Sequence, residues 1–359
     1  MNFLLFGLGL AALIVGAELL VRGASRLALA FGISPLVVGL TVVAFGTSSP
    51  ELAVSVSSAL RGQADIAVGN VVGSNIFNVL FILGISALVA PLLVSRQVIR
   101  QEVPVMIGVS LLCWGMAADG QIGRGEAELL LALLIGYSSF LVIQSRREQM
   151  AGVGSSQAPG GPDPSGWKGH WAVQVGMIVM GLGLLVLGAR WLVAAAIAFA
   201  TDLGVSELVI GLTIVAAGTS LPEVATSVLA ALKGERDIAV GNVVGSNSLN
   251  ILGVLGASGT LAPEGLPVSP AVLGFDLPVM AAVAFACLPI FYIEHRIARW
   301  EGGLFLAYYA AYLTYVVLNA QHHDALGPFS AVMATFVLPL TAVTLAVLVF
   351  RRVRKRRPD

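Results

Sequence analysis

The sequence has few charged residues and very few cysteines. Only 11% of its 359 residues are charged, whereas soluble domains carry about 25%, which excludes a soluble enzyme, a disordered chain and a nucleic-acid-binding protein. Cys113 and Cys287 lie inside apolar stretches, so a disulfide framework and a thiolate metal site are excluded too. The chain has no P-loop, dinucleotide fingerprint or nucleophile elbow. We therefore expect neither an enzyme nor a bound cofactor.

Long apolar runs are what the sequence does have. Each is long enough to cross about 30 Å of hydrocarbon, and together they predict an all-α polytopic membrane protein whose immediate partner is the lipid bilayer. The opening MNFLLFGLGL lacks a basic region and a cleavage site, so it predicts a retained span and not a signal peptide. The predicted spans lie near 3–30, 35–60, 66–91, 103–118, 126–144, 171–200, 207–232, 238–262, 270–292, 302–319 and 328–350.

The two halves of the chain repeat each other. Residues 35–90 and 207–262, at a constant offset of 172, share 35 identities in 56 positions. GLTVVAFGTSSPE matches GLTIVAAGTSLPE, and DIAVGNVVGSNIFN matches DIAVGNVVGSNSLN. Five predicted spans separate equivalent points, and because five is odd the second copy must cross the membrane in the opposite direction. Inverted repeats are typical of secondary transporters, which bind their substrates near the midplane.

The repeat divides the chain into four parts. We expect inverted five-helix repeats at 1–144 and 171–320, which form a ten-helix core. The segment 145–170 is rich in Gly, Pro and Ser and predicts a flexible cytoplasmic linker. Residues 321–359 predict an eleventh transmembrane helix and a basic cytoplasmic tail. The sequence carries no signal for an oligomeric state.

Basic residues predict the orientation in the membrane. Six Arg and Lys residues follow the last span at 351–357, and cytoplasmic flanks are enriched in such residues. With the C-terminus in the cytoplasm, eleven spans place the N-terminus outside. Seventeen of the twenty Lys and Arg residues then lie on the cytoplasmic side. We expect the cytoplasmic membrane of a prokaryote.

Two glutamates, Glu51 and Glu223, lie inside apolar runs at equivalent positions of the repeats. A charged side chain at the bilayer centre costs roughly 2.5–3.5 kcal/mol on insertion scales, and no basic residue of the neighbouring spans can pair with either glutamate. Each could simply be protonated and hydrogen-bonded. A cation shared between two carboxylates explains the symmetric pair better.

A proline precedes each glutamate, in GTSSPE and in GTSLPE. Proline removes one helical hydrogen bond and clashes with the carbonyl four residues earlier, so Pro50 and Pro222 are expected to free the carbonyls of Gly46 and Gly218. The nearby carbonyls of Ala44, Thr47, Ala216 and Thr219 are further candidate ligands. The alternative is an ordinary proline kink in which Ser or Thr hydroxyls satisfy the carbonyls.

The GN-x-x-GSN-x-x-N segments supply neutral oxygens. Ser74 and Asn78 are four residues apart, as are Ser246 and Asn250, so each pair lies on one face of a helix. Asn75 and Asn247 lie about 100° round the helix and are expected either to bridge helices or to satisfy loose backbone groups. Every candidate ligand is an oxygen, which favours hard cations such as Ca²⁺ or Na⁺.

These paired segments resemble the two α-repeats of the sodium/calcium exchanger family, within the cation/Ca²⁺ antiporter superfamily. The resemblance implies an antiporter that exchanges Ca²⁺ for Na⁺ by alternating access, during which the first and sixth spans slide against the core. It implies that Ca²⁺ is held by Glu51, Glu223, Thr47 and Thr219. It further implies Na⁺ ligands at Ala44, Thr47, Ser48, Ser74 and Asn78, and at Ala216, Thr219, Ser220, Ser246 and Asn250. Many members carry Asp where this chain has Asn250.

Two other classes of function stay open at this point. In an H⁺/Ca²⁺ exchanger the same two glutamates would carry protons. A cation channel or a non-transporting membrane scaffold is more distant. Two broken helices in an inverted pair suit alternating access better than a channel, and a scaffold would leave two intramembrane glutamates unexplained.

Overall fold

The computed structural model describes residues 2–31, 33–150, 171–202 and 216–355. Side chains at 148–150, 200, 202, 216, 349 and 351–355 are not described. These residues form helices α1 (Asn2–Phe31), α2 (Pro35–Thr47), α3 (Ser49–Leu60), α4 (Ala64–Val89), α5 (Val98–Asp119), α6 (Arg124–Met150), α7 (Trp171–Asp202), α8 (Ala216–Gly218), α9 (Leu221–Leu232), α10 (Arg236–Leu261), α11 (Val272–Glu294), α12 (Arg299–Ala320) and α13 (Leu326–Leu348).

The described helices match the predicted spans to within a few residues. Nine of those in the described ranges are long and apolar enough to cross a membrane, and the bent pair α2 and α3 makes a tenth if it is one span. Part of the predicted span 207–232 lies outside the described residues, as do the linker residues 151–170 and the last four residues of the tail. The chain is thus a multi-pass membrane protein built from helices.

Several boundaries differ from the prediction. Helix α5 begins at Val98, five residues earlier than expected, and α6 continues to Met150, past the predicted end at 144. The apolar span of α13 ends at Leu348, but its helical backbone continues to Lys355. Polar residues end an apolar run without ending a helix, because Glu, Gln, Lys and Arg are good helix formers.

Two short antiparallel ribbons join the halves of the chain. Strand β1 (Leu92–Leu93) pairs with β4 (Arg296–Ile297), and β2 (Gln121–Ile122) pairs with β3 (Leu266–Pro267). The sequence did not predict these strands, since two residues are too few to show a strand pattern. Each ribbon ties a connection of one half to a connection of the other.

Helices α4 and α10 occupy the centre of the molecule. The most apolar part of α10 is 94% buried, whereas that of α13 has no buried residue. The two central helices carry the GSN segments, so the polar residues of these segments are enclosed by protein. The lipid-facing helices, including α13, carry apolar side chains outward.

Helices α1 and α7 pack backbone to backbone in opposite directions. A Cβ built on Gly9 would lie 3.0 Å from the Gly188 carbonyl oxygen, and one on Gly16 would lie 2.8 Å from that of Gly181. Gly23 approaches the carbonyl of Gln174 in the same way. As the residue number rises along α1 it falls along α7, so the helices are antiparallel. Small residues allow this close approach between membrane helices.

Candidate ion-binding site

The break before Glu51 places the glutamate at the start of a helix. Helices α2 and α3 meet at Ser48 with a bend of 48°, and Pro50 lies in the first turn of α3, where a missing N–H costs no helical hydrogen bond. In the second half, Pro222 and Glu223 lie in the first turn of α9. A helix N-terminus stabilises negative charge. The predicted break therefore serves to put each carboxylate at a favourable helix end.

One detail of that prediction is wrong for the first half. The Gly46 carbonyl is not left free, because the Ser49 hydroxyl donates a hydrogen bond to it at 2.7 Å. The carbonyl of Ala44 accepts the backbone N–H of Ser48 at 2.9 Å. Hydroxyl compensation of a proline kink is thus present here. The second half has Leu221 where Ser49 stands, so it cannot use the same contact.

The two glutamates are fully enclosed, and each accepts a hydrogen bond from a residue of the other half of the chain. Relative exposure is 0% for Glu51 and 1% for Glu223. Ser220 donates a hydrogen bond to Glu51 Oε1 at 2.7 Å, and Ser48 donates one to Glu223 Oε1 at 3.0 Å. Because each serine proton points at a carboxylate, the lone pairs of the serine oxygen remain available to a cation.

Several buried oxygens of this region accept no hydrogen bond from any described residue. They are Glu51 Oε2, Glu223 Oε2, Asn78 Oδ1, Asn250 Oδ1 and Ser246 Oγ. A buried carboxylate or amide oxygen without a partner is costly. Oxygens of carboxylate, amide and hydroxyl type are the ligands that Ca²⁺ takes, and the chemistry of this donor set fits a hard cation.

Two further asparagines support the glutamates. The Asn70 amide donates to the backbone carbonyl of Glu51 at 3.3 Å and to Ser55 Oγ at 2.9 Å. Asn242 makes the equivalent contacts with Glu223 and Ser227, at 3.5 and 2.9 Å. Ser55 and Ser227 are not among the residues that the sequence predicts for the site. Each lies four residues after its glutamate, on the same face of the helix, and that spacing could have revealed them.

Like the serines, Thr47 and Thr219 make hydrogen bonds between the two halves of the chain. The Thr47 hydroxyl donates to Asn242 Oδ1 at 3.1 Å, and the Thr219 hydroxyl donates to Asn70 Oδ1 at 3.4 Å. Ser220 Oγ also lies 3.3 Å from Ser74 Oγ. Each of these contacts joins a residue of the first half to a residue of the second. The two breaks and the two GSN helices therefore form one polar centre.

The GSN side chains lie in the interior. Ser74, Asn78, Ser246 and Asn250 are at most 3% exposed. A π-helical turn begins at each site asparagine, Asn78–Leu83 in α4 and Asn250–Leu255 in α10. The described residues contain four other π-helical turns, so such a turn does not by itself mark the site: Gly39–Val43, Val98–Glu102, Val272–Asp276 and Met333–Val337. The sequence pattern did not reveal any of them. Asn75 and Asn247 bridge the two central helices, as predicted, through amide-to-carbonyl bonds of 3.2 and 3.3 Å.

The twelve residues predicted for the site differ in how directly they contact this polar centre. Glu51, Glu223, Thr47, Thr219, Ser48, Ser220 and Ser74 are joined by the contacts above. Asn78 and Asn250 lie one turn beyond Ser74 and Ser246. Ala44 is buried at the start of the last turn of α2. Ala216 opens α8, and its side chain is outside the described set.

Comparison with known proteins identifies the family. The family model for the sodium/calcium exchanger protein matches residues 1–143 and 173–318, which include both glutamates and both GSN segments. The chain belongs to the sodium/calcium exchanger family. It is therefore a membrane antiporter for Ca²⁺ and a second cation, and not an enzyme.

Individual relatives match this chain over two thirds or more of their own length. The sodium/calcium exchanger MaX1 of Methanosarcina acetivorans is 35% identical, over 87% of this chain and 97% of its own length. The inner membrane protein YrbG of Escherichia coli is 38% identical, over 62% of this chain and 67% of its own. A solved structure of the sodium-calcium exchanger NCX_Mj superposes with a TM-score of 0.74 at 30% identity, and covers 88% of this chain and 98% of that one.

Proposed function

We propose that this exchanger moves Ca²⁺ across the membrane in exchange for Na⁺ by alternating access, with Glu51 and Glu223 as the shared ion-binding carboxylates. The observation that carries the proposal is the pair of enclosed glutamates, each with one oxygen hydrogen-bonded to a serine of the opposite half and the other without a partner among the described residues. The Methanosarcina relative is named as a sodium/calcium exchanger, which supports the same ions.

The charges of the site account for the exchange. Two carboxylates carry two negative charges, which one Ca²⁺ neutralises. Two or three Na⁺ ions can replace it only if neutral oxygens hold them at separate positions. We assign the Ca²⁺ ligands to the two glutamates and the carbonyls of Thr47 and Thr219. The Na⁺ ligands are Ala44, Thr47, Ser48, Ser74, Asn78, Ala216, Thr219, Ser220, Ser246 and Asn250.

Two inverted five-helix repeats, 1–144 and 171–320, are part of this proposal. Equivalent helices α1 and α7 run antiparallel, and the Ser–Glu, Thr–Asn and Asn–Asn contacts occur in reciprocal pairs. Both observations support a two-fold relation in the membrane plane. Such a relation lets the two halves exchange roles as the site opens to either side.

We place the chain in the cytoplasmic membrane with its N-terminus outside. The distribution of Lys and Arg supports this orientation. The Escherichia coli relative is named as an inner membrane protein, which supports the location. The segment 145–170 is then a cytoplasmic linker, and residues 321–359 add an eleventh membrane helix and a basic cytoplasmic tail.

A reporter that fluoresces only in the cytoplasm, fused after Asp359, is expected to be bright in cells. The reason is that the basic residues at 351–357 resist transfer across the membrane. Fluorescence of whole cells, normalised to the amount of fusion protein in the membrane, is the measurement. A stable but dark fusion would show that the orientation is inverted or that α13 does not cross.

The coupling ion is tested in proteoliposomes with the two gradients separated. With Na⁺ loaded inside, equal pH on both sides and K⁺ absent, we expect ⁴⁵Ca²⁺ uptake, because the neutral oxygens can hold Na⁺ once Ca²⁺ leaves. A pH gradient in Na⁺-free buffer should give none. The opposite pair of results would identify an H⁺/Ca²⁺ exchanger, in which the glutamates carry protons.

A further inference from the structure

Four asparagines lie between the central helices α4 and α10. They are Asn75 and Asn78 in α4, and Asn247 and Asn250 in α10, and none is more than 3% exposed. An amide side chain has one acceptor and one donor group, so a buried amide must present each to a suitable partner. The contacts of these four residues determine which way every amide faces.

The orientation of Asn247 follows from its donor contacts. Its Nδ2 lies 3.3 Å from the Asn75 carbonyl oxygen and 3.5 Å from Met106 Sδ. Neither of these atoms can donate a hydrogen bond, so the NH₂ group of Asn247 must face them. The Oδ1 of Asn247 then points to Asn78.

Asn78 is oriented in turn by Asn247. Its Nδ2 donates to Asn247 Oδ1 at 3.0 Å. With the NH₂ group engaged there, the Oδ1 of Asn78 faces away from Asn247, and it accepts no hydrogen bond from any described residue. The backbone carbonyl of Asn75 thus orients the Asn247 amide, and the Asn247 amide in turn orients the amide of Asn78.

The second half repeats this arrangement. Asn75 Nδ2 lies 3.2 Å from the Asn247 carbonyl oxygen and 3.6 Å from Met280 Sδ. Its Oδ1 accepts Nδ2 of Asn250 at 3.1 Å. The Oδ1 of Asn250, like that of Asn78, is buried without a donor among the residues described.

We propose that Asn75 and Asn247 are positioning residues of the ion-binding site, which hold the amides of Asn250 and Asn78 with their carbonyl oxygens toward the ions and their NH₂ groups away. The proposal rests on the proposed function. An amide turned the other way would present protons to a cation, which repel it. Without the bridging asparagines, nothing in these contacts selects the productive orientation.

Loss of this amide orientation is expected to lower the affinity for Na⁺ more than the affinity for Ca²⁺. Ca²⁺ is held chiefly by the charges of Glu51 and Glu223, which the asparagines leave intact. Na⁺ carries half the charge and depends on neutral oxygens such as Asn78 Oδ1 and Asn250 Oδ1. A loss of amide orientation should therefore weaken Na⁺ binding selectively.

The test replaces the bridging residues and measures both ions. For Asn75→Leu and Asn247→Leu we expect the half-saturating Na⁺ concentration of Na⁺-driven Ca²⁺ uptake to rise about tenfold, the equivalent of one lost hydrogen bond. The half-saturating Ca²⁺ concentration in Na⁺-free Ca²⁺/Ca²⁺ exchange should change much less.

Two controls keep the outcome clear. Gly7→Ala, at a position where a Cβ meets no described atom within 4 Å, should leave both half-saturating concentrations at their wild-type values. Should the Leu variants fail to fold, Asn75→Ser and Asn247→Ser, which are too short to reach both partners, carry the same prediction. Equal weakening of both ions, or no weakening, would overturn the positioning role. A wild-type protein without Na⁺-driven Ca²⁺ uptake would instead overturn the proposed function.

Discussion

Glutamine in place of Glu51 or of Glu223 will abolish Ca²⁺ exchange while the protein stays folded. Glutamine keeps the shape of the side chain and one carbonyl oxygen but removes a charge that offsets the divalent ion. Truncation of one partner of a buried charge pair, here a carboxylate that faces the bound Ca²⁺, costs about 2–5 kcal/mol of binding free energy, which is roughly thirtyfold to several thousandfold in affinity. The measurement is ⁴⁵Ca²⁺ uptake into proteoliposomes under a Na⁺ gradient.

Glu264→Gln is the matched control for this prediction. Glu264 has an exposed side chain in the connection after α10, so the same change of charge there should leave uptake at the wild-type rate. Size-exclusion profiles of all variants check folding. Wild-type Ca²⁺ uptake by the Glu51→Gln/Glu223→Gln double variant would remove the basis of the proposed site.

Alanine at Gly16 or Gly181 will destabilise the protein, although alanine is the better helix former. A Cβ at Gly16 would lie 2.8 Å from the Gly181 carbonyl oxygen, and one at Gly181 would lie 2.7 Å from that of Gly16. Neither backbone can move without separating α1 from α7. Overpacking of this kind costs about 1–3 kcal/mol, which should lower the melting temperature in detergent.

For Gly7→Ala, in the same helix as Gly16, we expect no loss of stability. A Cβ there meets no described atom within 4 Å, so the substitution should be neutral or stabilise by about 0.5–1 kcal/mol through helix propensity. The two variants carry the same chemical change, and only the packing differs. A melting temperature for Gly16→Ala at or above that of Gly7→Ala would show that close α1–α7 contact does not stabilise the fold.

The sequence predicted the two glutamates of the candidate site because membrane burial makes polar residues conspicuous. A glutamate in an apolar run is costly, so Glu51 and Glu223 could be identified from their surroundings alone. The doubled pattern then indicated that the two halves meet. The serines that contact the glutamates, Ser48 and Ser220, were implied only by the family resemblance, since a serine in a membrane helix costs too little to stand out.

What the sequence could not predict depends on contacts between distant segments. Asn70 and Ser55 lie on different helices, 15 residues apart, and their hydrogen bond follows from how α3 packs on α4. The crossed contacts of Thr47 with Asn242 and of Thr219 with Asn70 depend on the docking of one half against the other. The freed Gly46 carbonyl was predicted incorrectly for a local reason. Ser49, three residues later, donates its hydroxyl to that carbonyl, which is the alternative that the sequence left open.

Equilibrium binding of ⁴⁵Ca²⁺ to the purified protein tests the central claim most directly, because it needs no gradient and no transport. The account predicts that the wild-type protein binds Ca²⁺, that added Na⁺ displaces it in a saturable manner, and that the Glu51→Gln/Glu223→Gln variant binds none at the same concentration. Ca²⁺ binding of undiminished affinity by that folded double variant would contradict the assignment of the two glutamates as the shared ion-binding site.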